Sequence, residues 1–340
     1  MKITSTFALR LALCALCVIA VGGCARKSAP VASGTWTAAS TTGFAPHAWF
    51  TTSVVNDKIY TIGGFGDSLL STTISVFDPA TNSWSTPTTS GTFTPRGSLA
   101  SAVLNGKIYV MGGMTGPETP ENMSNKLEIF DPATNTWSTP TTTGTFTPRN
   151  NLCACVVDGK IYTMGGFDAS NDVNNFEVFD PSTNSWNSPK TTGTFNPRGA
   201  FTANVVDGKI YVIGGFNNLA PKGHRVQDEV DVFDPSTNTW STPATTGTFA
   251  ARLLHASGVI DGKIFVVGGT PNIREPLTTN TIQIFDPATN AWSTPKTTGT
   301  FTPRSYLSAG VVNNKVYVLG GQDTSKVFNL NEVFTPTLEE

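Results

Sequence analysis

Short apolar runs alternate along the chain with clusters of turn-forming residues. Leu99-Ala100-Ser101-Ala102-Val103-Leu104, Lys107-Ile108-Tyr109-Val110-Met111 and Glu128-Ile129-Phe130 show the pattern, each bounded by Gly, Pro, Asn or Asp. Runs of this length, rich in β-branched and aromatic residues, predict strands. Beyond the first 23 residues no stretch keeps a helical period. Asn105-Gly106, Asp158-Gly159, Asp207-Gly208 and Asp261-Gly262 join pairs of runs. These dipeptides accept the two positive φ angles of a type I′ hairpin turn. Asn56-Asp57 and Asn313-Asn314 stand in the same place elsewhere.

The pattern repeats. Gly pairs recur at Gly63-Gly64, Gly112-Gly113, Gly165-Gly166, Gly214-Gly215, Gly268-Gly269 and Gly320-Gly321, 49 to 54 residues apart. Trp36, Trp84, Trp137, Trp186, Trp240 and Trp292 keep the same rhythm. Each unit reads as four strands, and a period of this size implies a propeller or solenoid. The last unit ends at Glu340 without its Trp strand, while Trp36 has no unit before it. The expected fold is therefore an all-β, six-bladed propeller of four-stranded antiparallel blades. The N-terminal strand Gly34-Thr35-Trp36-Thr37 should close the last blade and remove the open edge.

The repeated Pro-Arg, Gly-Lys-Ile-Tyr-Val-x-Gly-Gly and Phe-Asp-Pro-x-Thr-Asn-x-Trp segments resemble the kelch repeat, over essentially all of residues 35–336. That resemblance implies the propeller fold. It says little of activity, because such propellers host both binding proteins and enzymes.

The N-terminus reads differently. Lys2 and Arg10 precede the apolar run Leu11–Val21, and Gly22-Gly23-Cys24 follow. This is the layout of a secretory signal. Val21-Gly22-Gly23-Cys24 resembles the bacterial lipobox, which implies acylation of Cys24. The domain reading is a signal peptide at 1–23, a tether at 24–34 and the propeller at 35–340. The expected location is the cell envelope, with the protein lipid-anchored through Cys24. Ala25 implies, by the family rule, the outer membrane if the cell is Gram-negative. Removing Lys2 and Arg10 takes the formal charge from −2 to −4. No basic run exists, so nucleic acid is not an expected partner. Cys153 and Cys155 sit two apart on one strand face and read as small core-filling residues.

Aligned columns suggest where chemistry could sit. The residue opening each inner strand is His47, Arg96, Arg149, Arg198, Arg252 or Arg304. This column is expected to ring one channel mouth, either as structural Arg–acid pairs or as an anion-attracting mouth whose best location is Arg252. The third strand opens with Ser75, Glu128, Glu177, Asp231, Gln283 or Glu332. Arg–acid pairing within a blade follows, with Arg252 left facing a neutral Gln283. Phe65, Phe167 and Phe216 follow three of the Gly pairs and are candidates for stacking on a ligand. Phe44, Phe93, Phe146, Phe195, Phe249 and Phe301 occur in every linker and read as packing. His47, His224 and His255 occupy different blade positions, so neither a metal site nor a cofactor is expected. Nothing matches the crosslinked copper site of galactose-oxidase-like propellers.

The expected function is that of a monomeric cell-envelope binding or scaffold protein. It would hold a protein or glycan on the face carrying the second-to-third-strand loops. The alternative is a carbohydrate-active enzyme, similar in blade count and export to sialic-acid mutarotases. Gly223-His224-Arg225 is similar to a Gly-x-Arg associated with that family's site, with Leu219 where an acid is expected and Asp228 and Glu229 following. No catalytic motif is present.

Overall fold

The structure is a computed structural model and describes residues 31–66, 70–221, 225–272 and 277–338. Cys24 and the signal-like segment lie outside the described residues. No described helix is long and apolar enough to cross a membrane.

Six sheets form six blades. Blade one comprises Thr51–Val55, Lys58–Ile62, Ser75–Asp78 and Ser83–Ser85. Blades two to five repeat this order, and their inner strands start at Ala100, Cys153, Thr202 and Ala256. The first two strands of each blade form a hairpin over the expected turn, with φ 52° at Asn105 and 73° at Gly106, for example. Side chains alternate across each strand, so one register repeats: Ile108 faces Phe130, and Phe130 faces Trp137.

Blade six is built from both ends of the chain, as the repeat count implies. Val31–Ala38 pairs antiparallel with Asn331–Leu338, and Trp36 lies opposite Phe334. The strand begins at Val31, four residues before the boundary placed at residue 35. A further strand, Lys296–Thr298, runs parallel along its outer edge and makes this sheet five-stranded. Four other linkers make the same contact as single bridges, such as Ser90 with Thr136 and Thr143 with Ser185.

The Phe of every linker stacks on the Trp of the blade it enters. Phe44 lies 4.1 Å from Trp84, Phe93 4.6 Å from Trp137 and Phe301 4.6 Å from Trp36. In five blades the arginine lies over the ring of that Phe, as with Arg304 at 4.5 Å from the Phe301 centroid. The Gly pairs explain themselves at this junction. Gly112 and Gly113 have φ of 65° and 92°. A Cβ on Gly112 would come 2.8 Å from the Arg149 carbonyl oxygen, and the Gly113 N–H donates to that same oxygen. Only Gly allows both the backbone angle and the approach.

Candidate functional site

The expected ring of guanidinium groups is not at the channel mouth. Arg96, Arg149, Arg198, Arg252 and Arg304 are buried in the wall, none more than 1% exposed. The reason is local. Two residues after each arginine the backbone turns into the left-handed region, at Ser98, Asn151, Ala200, Leu254 and Tyr306, and at Trp49 after His47. That turn directs the later residue toward the axis and the arginine outward.

Each arginine is occupied. Arg149 Nη1 donates to Glu177 at 2.6 Å, Nε to the Gly165 carbonyl at 2.7 Å and Nη1 to the Thr147 carbonyl at 2.8 Å. Arg96 with Glu128, Arg198 with Asp231 and Arg304 with Glu332 form the same charged pair. Pairing within a blade, expected from the two columns, is therefore present. Arg252 bonds to the neutral Gln283 instead, and also to the carbonyls of Ala250 and Gly268. With no acid beside it, burial lowers its pKa to about 10. It borders a separate cavity of about 190 Å³ with Pro271 and Thr279. His47 is buried and stacks near Phe44. Arg225 stays in the blade-four loop, where Nε donates to the Ala220 carbonyl. His224 lies outside the described residues.

The mouth itself is made by residues the sequence columns did not single out. The six left-handed residues hydrogen-bond in a closed circle. Ser98 N–H donates to Trp49, Asn151 to Ser98, Ala200 to Asn151, Leu254 to Ala200, Tyr306 to Leu254 and Trp49 to Tyr306, at 2.8 to 3.2 Å. The collar fixes six backbones around the axis and leaves six different side chains at the opening. Non-Gly residues in this backbone region carry strain, and bulky Trp and Tyr there are outliers that the closed circle holds in place. Below the collar the channel is lined by small residues, including Ala100, Cys153 and Ser308. Burial pushes the Cys155 thiol up to about 12 and raises Cys153 further, which fits inert packing residues. Among the described residues, no group of three His, Cys, Asp or Glu side chains could hold a metal.

Beside the collar lies a cavity of about 270 Å³ on the loop face, reached by the second-to-third-strand loops of blades two, three and four. Phe167 and Phe216 both line it, so two of the three candidate aromatics meet there. Trp49 and Tyr306 form its other wall, stacked 4.7 Å apart. Phe65 meets Trp49 edge-on at 5.2 Å. Glu118 and Asp172 supply charge and Asn151 and Asn218 supply polar groups. Asp172 is 6% exposed. Its Oδ2 accepts the Asn218 N–H at 2.7 Å, and its own N–H donates to Asn218 Oδ1 at 3.1 Å. Burial pushes its pKa up to about 6; the Asn218 N–H opposes this, while Glu118 and Asp168 add to it. The Tyr306 phenol is raised too, by burial and then by Glu118. The mouth is thus aromatic and acidic. One signal could have found it: the column two residues after Arg reads Trp49, Ser98, Asn151, Ala200, Leu254 and Tyr306, six different residues beside a nearly constant linker.

Residues 50–269 and 103–321 match the KLHDC2/KLHL20/DRC7 kelch-repeats domain. The chain belongs to the kelch-repeat family. Among its relatives, an F-box/kelch-repeat protein of Arabidopsis thaliana is 35% identical over 71 residues, covering 21% of this chain and 14% of the relative. The spermatocyte protein spe-26 of Caenorhabditis elegans is 35% identical over 107 residues, 30% of this chain and 18% of that protein. A Rab9 effector protein with kelch motifs from Mus musculus is 31% identical over 103 residues, 29% of this chain and 27% of that protein. These matches span less than a third of each relative's length, so they concern the kelch propeller and not whole proteins.

Proposed function

We propose that this kelch propeller is exported to the cell envelope, anchored there through an acylated Cys24, and binds another protein through its loop face. The observation that carries the reading is the position of exposed apolar surface. Among the described residues the exposed large hydrophobic side chains are Leu219, 59% exposed, and Leu277, 66% exposed. Leu219 lies in the blade-four loop and Leu277 in the blade-five loop, both between second and third strands. Both loops belong to the face on which the mouth cavity opens, and exposed apolar side chains on such a face suit a protein interface. The similarity to a Rab9 effector agrees with protein binding by this family.

The test is partner recovery after chemical crosslinking in the native envelope. Leu219→Asp with Leu277→Asp should abolish the crosslinked partner. Thr134→Asp, an exposed position on the opposite face, should leave it unchanged. Equal recovery from all three proteins would refute the loop-face reading.

A further inference from the structure

Five acidic side chains are buried among the described residues: Glu128, Glu177, Asp231, Glu332 and Asp172. Four of them hold an arginine. Asp172 forms no ion pair with any described residue, and its Oδ1 accepts no hydrogen bond from one. The Asn218 N–H on Oδ2 ties the loops of blades three and four, but a buried carboxylate without a cation still costs stability. It lines the mouth cavity together with Trp49, Tyr306, Phe167 and Phe216. Gly199 leaves room for it, since a Cβ there would stand 3.1 Å from Asp172 Oδ1.

We propose that this cavity is a cation site that takes the ammonium or guanidinium head of a basic side chain presented by the protein partner. The proposal rests on the loop-face reading above and names the group that the mouth recognises. Three physical features converge on it. Aromatic faces attract cations through their negative quadrupole, with indole the strongest. A carboxylate in a partly enclosed cavity attracts a cation more strongly than the same group in water. Glu118, exposed at the rim, adds a second negative charge, and Asp168 a third nearby. The five wall arginines are enclosed and bonded there, and Arg225 stays in the blade-four loop with its Nε on the Ala220 carbonyl. At about 270 Å³ the cavity is smaller than the pockets of roughly 300 to 1,000 Å³ that hold drug-sized ligands, and it has room for a basic side chain. The selectivity is therefore the reverse of the anion-attracting mouth suggested by the arginine column.

Trp49 provides the readout. Its indole N–H is buried and has no hydrogen-bond partner among the described residues, so its NMR resonance should respond to a cation placed on the ring. Tetramethylammonium chloride and N-acetyl-lysine amide should each shift that resonance saturably, while sodium acetate should not. Asp172→Asn or Glu118→Gln should weaken both cations by about tenfold, the effect expected of losing a charge-assisted contact. Glu118 is exposed, so its variant keeps the test valid should Asp172→Asn disturb folding. A shift produced equally by acetate, or binding unchanged in both variants, would overturn the proposal. A Gly-Lys-Gly peptide binding more tightly than tetramethylammonium supports a partner side chain; the reverse order would overturn that assignment in favour of a free small ammonium ligand. If Leu219→Asp with Leu277→Asp abolishes partner crosslinking while no cation moves the Trp49 resonance, the cation site alone fails. If cations bind but crosslinking ignores the loop face, the proposed function alone fails.

Discussion

Replacing Asp172 with Asn should stabilise the protein at neutral pH. The folded pKa of about 6 stands above the ordinary 3.8. For an acid raised on folding, the folded state binds the proton more tightly, so stability falls as pH rises through the window from about 4 to 6. Above that window the full cost is present, and the gap between the two values corresponds to about 3 kcal/mol. Asn keeps an oxygen for the Asn218 N–H, which donates to the carboxylate at 2.7 Å. Its new amide N–H groups need partners, so the net gain should be about 1 to 2 kcal/mol. Urea unfolding followed by tryptophan fluorescence, at pH 7.5 and at pH 4, gives the answer. The variant should be the more stable at pH 7.5, with the difference closing by pH 4. Equal or lower stability at pH 7.5, or a difference that ignores pH, would refute the reasoning. A stabilising change that removes cation binding would also show that the carboxylate serves the site at the expense of the fold.

Three further outcomes follow from the fold and the anchor. Trp36→Ala removes an indole that is 4% exposed and lies 4.6 Å from Phe301 and 5.1 Å from Phe334; it should cost about 3 to 5 kcal/mol in urea unfolding, and a variant as stable as the parent would disprove closure through blade six. Gln283→Glu, combined with Ala250→Thr, rebuilds around Arg252 the arrangement that Glu128 and Thr94 make around Arg96; the melting temperature should rise, and a fall would show that the arginine needs no counter-charge. Cys24→Ser should release the protein from the membrane fraction or leave an unprocessed precursor, and unchanged fractionation would exclude the lipid anchor.

The architecture was legible because its signals are local and repeated six times. Hairpin dipeptides, Gly pairs and linker Phe residues each specify a contact within one unit or with its neighbour. Even closure was legible, since a Trp36 strand without a unit and a last unit without a Trp strand fit only each other. The extra strand Lys296–Thr298 was not, because its Lys-Thr-Thr-Gly-Thr linker reads like the others. The arginine column was identified correctly as paired but assigned the wrong direction. Charge and spacing could not show that the chain turns left-handed two residues later. The mouth was hidden for a related reason. Trp49 and Tyr306 are 257 positions apart and stack because the ring closes between blades six and one. Glu118 lies in a longer loop with no counterpart in its neighbours, and Asp172 occupies a recurrent bridge position filled by Leu70 in blade one and Val327 in blade six, so no shared residue type marks either one.

The central claim is that the loop face, and not the hairpin face, meets the partner. Photocrosslinking residues placed singly at Leu219 and Tyr306 on the loop face, and at Thr134 and Gly159 on the hairpin face, test it most directly in the native envelope. Leu219 and Tyr306 should each give one discrete protein adduct, and Thr134 and Gly159 none. The same adduct from the hairpin face, with none from the mouth, would contradict it.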